Sequence, residues 1–145
     1  MTTCTRVKVS GSIEVALALR QAFFLFTPNG ERTWAEHWTP VFPSGMTDDT
    51  EPGLVFETEH SGRHSIWTIV RCEPASSIGY STTTPGHRAG TVTVSCQASN
   101  GGTTVTVSYD LTALVPEANA ELSHFEAHFF EFLDNWRHSI ARAIG

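Results

Sequence analysis

From Glu121 onward, Leu122, Phe125, Phe129, Phe132, Leu133, Trp136, Ile140 and Ile144 fall in one stripe at helical spacing. The pattern predicts a single long helix over 121–143. Pro116, Glu117 and Glu121 suit its N-terminal region, and Arg137, Arg142 and Gly145 suit its end. A helix this aromatic must bury its stripe against a wide apolar surface. The rest of the sequence decides what that surface is.

Most of the remainder alternates with a period of two, the mark of half-buried strands. In 5–15, Val7, Val9, Ile13 and Val15 share one parity, against Arg6, Lys8, Ser10, Ser12 and Glu14. Five more strands read 54–60, 65–72, 77–83, 90–98 and 103–112. In the last two, Val92, Val94 and Cys96, then Val105, Val107, Tyr109 and Leu111, face one way. Thr and Ser face the other, so one side is buried and the other meets water. Ser61-Gly62-Arg63 and Asn100-Gly101-Gly102 read as hairpin turns. Between the first two strands the spacing of Val15, Leu19, Ala22, Phe23 and Phe26 predicts a helix running up to Pro28. A second short helix is predicted through Trp34 and His37, capped by Thr27 or Asn29. Residues 44–53 form a polar loop. The only wide partner for the last helix is therefore the sheet, and 1–145 reads as one domain with no linker or repeat.

Composition narrows function by exclusion. The net charge is -6, with a single lysine, Lys8, and scattered arginines. Phosphate recognition needs clustered cations, so nucleic acid and anionic membrane surfaces are not expected partners. Cys4, Cys72 and Cys96 make no CxxC pair, which argues against zinc ribbons and thioredoxin-like chemistry. They suit a reduced cytoplasm. The start of the chain lacks a signal peptide's apolar stretch, and Ala22–Phe26 is far too short to span a bilayer. No GxGxxG opens a helix, and neither GxxxxGK[ST] nor GxSxG occurs, so nucleotide use and serine-hydrolase chemistry are not expected.

Several segments resemble bacterial members of the START-like (Bet v 1-like, SRPBCC) superfamily. Leu25-Phe26-Thr27-Pro28-Asn29-Gly30-Glu31-Arg32-Thr33-Trp34 is similar to their FTPEGERxW segment, followed by Trp38-Thr39-Pro40-Val41-Phe42. Gly53-Leu54-Val55-Phe56-Glu57-Thr58 resembles their GxVFxT strand, with Trp67 following at a familiar distance. Asp110-Leu111-Thr112-Ala113-Leu114 resembles their LTAL strand end, and Asn135-Trp136 sits in the usual place on the last helix. The resemblance covers nearly the whole chain, in the polyketide cyclase and Hsp90 ATPase activator-like subgroup. It implies an α+β helix grip. A curved six-stranded antiparallel sheet wraps a long C-terminal helix, with two short helices between strands one and two. It also implies a cavity under that helix. It carries over no catalytic residue.

The expected lining of that cavity is Trp34, Trp38, Phe56, Trp67, Tyr80, Tyr109, Phe125, His128, Phe129, Phe132 and Trp136. Phe42 belongs to the same aromatic set. The expected occupant is a hydrophobic or aromatic small molecule, lipid- or polyketide-like. The same aromatic pattern also suits a filled core. A cyclase/dehydratase-like enzyme is the alternative, with His128, Tyr80 and Tyr109 as candidate acid/base groups. A co-chaperone-like interaction domain is the second alternative, and homodimerisation is left open. No cofactor and no metal are expected. His124, His128 and Glu131 lie at i, i+4, i+7, but His124 and Glu131 point away from the apolar stripe, whereas His128 borders it. Glu57, Glu59, His60 and His64 cluster at one hairpin, where they could form an acid/base pair near the cavity mouth, although alternation assigns them to the outer face. Glu31 and Arg32 read either as a gate at the helix pair or, the favoured reading, as charges complementing a helix end or a surface pair.

Overall fold

In the computed structural model, which describes residues 3–145, the period-two segments pair into one antiparallel sheet. Its strands are β1 (Arg6–Val15), β2 (Val55–His60), β3 (Arg63–Glu73), β4 (Ser77–Thr84), β5 (Arg88–Ser99) and β6 (Gly102–Ala113), in the order β1-β6-β5-β4-β3-β2. The register puts the apolar parities opposite one another: Val7 faces Leu111, Ile13 faces Val105, Val92 faces Tyr109 and Phe56 faces Trp67. One-residue shifts would turn every side chain to the wrong face, so this matching fixes the pairing. The opposite face carries hydroxyl ladders, including Ser10–Ser108 and Ser12–Thr106, each at 2.9 Å. A bulge between Ile69 and Arg71 in β3 leaves Val70 exposed and adds to the bend of the sheet.

Three helices follow the expected order, with different bounds. α1 spans only Leu19–Phe24, because the β1 ladder with β6 runs to Val15 and claims the first residues of the apparent helical pattern. Its end is set by Thr27, whose hydroxyl donates to the Phe24 carbonyl (2.8 Å) and accepts from the Gly30 N–H (3.1 Å). The second short helix is a single 3₁₀ turn, Gly30–Thr33. It does not reach His37, whose φ of 60° leaves the helical region.

The long helix is broken. α2 (Asn119–Ala127) and α3 (Phe129–Ile144) meet at His128, which has φ −115° and ψ 21°. There the His128 Nδ1 donates at 2.9 Å to the His124 carbonyl, which also accepts the His128 backbone N–H at 3.0 Å. The stripe survives the break: Leu122, Phe129, Leu133 and Ile140 are buried, and Phe125, Phe132 and Trp136 partly so. α3 packs on β1, where Gly11 lets it come close. A Cβ at Gly11 would sit 2.7 Å from Leu133 Cδ1 and 3.4 Å from Phe129 Cε2. All three cysteines are free. Among the described residues no helix is long and apolar enough to cross a membrane.

Candidate functional site

The helix covers the β1–β6 side of the sheet and leaves the β2–β5 side under a cavity of about 450 Å³. Its walls come from three sources. The turn after α1 gives Glu31, Trp34 and Trp38. The strands give Phe56, Thr58, Trp67, Tyr80, Val92, Val94, Tyr109 and Leu111. The helices give Leu122, Phe125, Phe132 and Trp136. The strand contributors share the inward parity of the register, which is why alternation found most of them. The rings interlock edge to face around the space: Trp38 with Trp67 (5.6 Å), Trp67 with Tyr80 (6.0 Å) and Trp34 with Trp136 (5.1 Å).

Of the expected lining, Trp34, Trp38, Phe56, Trp67, Tyr80, Tyr109, Phe125, Phe132 and Trp136 lie on the wall. Phe129 does not; it is buried against Tyr109, Phe125 and Phe132. His128 does not either. It is exposed, and its ring stacks on His124 at 4.1 Å. The break in the helix sets His124, not His128, on the cavity rim. Among the described residues no three His, Cys, Asp or Glu side chains converge as a metal site.

Around the mouth lie the exposed residues Glu36, His37, Glu59, His60 and His124. One side is closed by an ionic latch that joins two hairpin ends to α2. Glu121 accepts from Arg63 and Arg88, each at 3.0 Å. His87 lies between them, 3.1 Å from Glu121, with its Nδ1 buried and unpaired. Burial, with the two neighbouring arginines, lowers the His87 pKa despite the opposing pull of Glu121. Glu57 and His64 pair at 2.7 Å away from the mouth, whereas Glu59 and His60 of the same hairpin border it rather than the outer face.

Inside the cavity the polar tips divide into two groups. Four are held by the protein: Trp34 Nε1 on the Leu25 carbonyl (2.7 Å), Trp38 Nε1 on Pro28 (2.8 Å), Trp67 Nε1 on Thr58 Oγ1 (2.9 Å) and Tyr80 Oη on Phe26 (2.8 Å). The Glu31 carboxyl and the Tyr109 hydroxyl have no hydrogen bond or ion pair among the described residues. Their oxygens keep accessible surface where the cavity lies. Burial pushes the Glu31 carboxyl well above the usual carboxylate range, and burial first, then Glu31, pushes the Tyr109 phenol up. Glu31 is the residue that sequence reasoning passed over. As a charge in a Gly-Glu-Arg turn it reads as surface; only the fold of the Thr27-capped turn aims it inward.

A family model described as "Polyketide cyclase / dehydrase and lipid transport" matches residues 6–137. No curated protein matched significantly. Solved structures similar to the chain include a putative uncharacterized protein from Rhizobium leguminosarum (TM-score 0.70, 15% identity, 97% of each chain covered). CalU16 from Micromonospora echinospora is similar at TM-score 0.63 and 16% identity, over 94% of this chain and 86% of that one. The Aha1 dimer from Colwellia psychrerythraea is similar at 0.64 and 13%, over 96% and 99%. At these identities the structures establish the fold.

Proposed function

The chain belongs to the polyketide cyclase / dehydrase and lipid transport family, within the SRPBCC (Bet v 1-like) superfamily, and from that premise we propose that it takes up an apolar, ring-bearing small molecule in the cavity between sheet and helices. The observation that carries the reading is the cavity itself. About 450 Å³ stays open under an aromatic roof, while α3 packs directly on β1 at Gly11. That volume and lining are those of small-molecule sites: mostly apolar, with a few placed polar groups. Native mass spectrometry of gently purified protein tests it. A co-purifying or added aromatic guest bound one to one supports the reading. Absence of any bound mass, with no thermal shift from lipids or polycyclic aromatics, contradicts it.

A second reading, a cyclase/dehydratase-like reaction in the same cavity, is favoured by the unpaired Glu31 and Tyr109 on its wall. Such chemistry asks for a shaped space and one acid/base group. Tyr80 is committed to the Phe26 carbonyl and His128 faces away, so of the sequence candidates Tyr109 remains, joined by Glu31. Turnover of a poly-β-ketone chain that survives in both Glu31→Gln and Tyr109→Phe would remove this reading.

A further inference from the structure

Among the described residues, the polar groups around the cavity are partnered selectively. Four polar tips around the cavity are tied to backbone or side-chain oxygens. Glu31 and Tyr109 are not, although both border the same space. No arginine, lysine or histidine pairs with the Glu31 carboxyl; the nearby cations are engaged elsewhere, Arg32 on the Pro40 carbonyl and Arg88 on Glu121. Burial favours the neutral form of the Glu31 carboxyl, and a neutral carboxyl is a hydrogen-bond donor as well as an acceptor. A phenol is the same.

Building on the cavity reading above, we infer that the Glu31 carboxyl and the Tyr109 hydroxyl form a two-donor subsite that grips a carbonyl or phenolic oxygen of a neutral, ring-bearing guest. The rings supply the apolar contact, and the two donors choose among apolar guests by their oxygen. A carboxylate guest is disfavoured, because its charge would be stripped of water beside a wall arginine, Arg88, that is already paired with Glu121. A hydrocarbon of the same shape leaves both donors unpaired. The subsite therefore separates ketones and phenols from fatty-acid-like anions.

The test is calorimetric titration of the full chain with four naphthalenes: 2-acetylnaphthalene, 2-isopropylnaphthalene, 2-naphthoate and 2-naphthylmethylammonium. The ketone is expected to bind about tenfold more tightly than the hydrocarbon, the value of one or two net hydrogen bonds, and more tightly than either ion. Glu31→Gln keeps a donor in place and retains most of the preference. Glu31→Leu loses it. Tyr109→Phe, which removes one oxygen and no volume, lowers it even if the leucine variant folds poorly. Equal binding of ketone and hydrocarbon overturns the subsite and leaves the cavity reading standing. Tightest binding of the ammonium probe also overturns it, since Glu31 would then be a counter-ion beside cation-attracting rings. Failure of all four probes to bind brings down the cavity reading and the subsite together.

Discussion

The two halves of the concave face are built from the same kinds of residue and end in opposite states. On the β1–β6 side, α3 lies against β1 at Gly11, and Leu133 and Phe129 fill the contact. On the β2–β5 side, Phe56, Trp67, Tyr80 and Val92 border an open space. What separates the halves is backbone approach. A glycine on an edge strand admits the helix to one side of the sheet, and on the other side the strands border the cavity. Aromatic content alone does not tell a core from a cavity.

Substitutions in each half sharpen that contrast. The largest effect is expected from Gly11→Val. Its branches would run into Leu133 and Phe129 on a well-packed contact, at a cost of about 3 kcal/mol in chemical denaturation. Leu133→Ala in the same half removes about as much, roughly 3 kcal/mol, by opening a hole the helix cannot close. Val92→Phe in the other half adds volume where there is room. Its stability should stay within about 1 kcal/mol of the parent chain, while its capacity for an aromatic guest disappears. If Val92→Phe proves as damaging as Gly11→Val, the halves do not differ as described.

Glu31 gives the comparison a pH axis. Its pKa in the folded chain is raised above its unfolded value, so the folded state binds the proton more tightly. Its contribution is fully present below the unfolded pKa, and is lost as pH rises through the folded one. Glu31→Gln should therefore gain stability relative to the parent as pH climbs from about 4.5, and match it below. A denaturation series from acid to neutral pH checks the sign; a gain confined to acid would reverse it. The smallest effect belongs to the latch. Glu121→Ala removes partly exposed ion pairs, which in general contribute about 0–1 kcal/mol. It should leave stability nearly unchanged while guest release, followed by stopped-flow fluorescence, becomes faster.

How much of this the sequence disclosed follows from how local each cause is. Strand parities, the two hairpin turns and the helical stripe rest on side-chain periodicity, and all are visible along the chain. The short α1 was hidden because Ile13 and Val15 fit both a strand and a helix pattern, and pairing with Val105 and Thr103 decided between them. The break at His128 was hidden because the stripe runs through it unaltered. It also exchanges the expected places of His124 and His128. Gly11 carries no signal until the helix above it is known. Glu31 sits in a polar turn, and its inward aim depends on Thr27, which bonds both to Phe24 and to Gly30.

The most direct measurement of the central claim is an NMR titration of isotope-labelled protein with 2-acetylnaphthalene. The account predicts saturable shifts at the methyls of Val92 and Val94 and the indole of Trp67, with Val105 and Leu133 unmoved. Shifts centred on Leu133 and Val105, or no saturable shift at all, would contradict it.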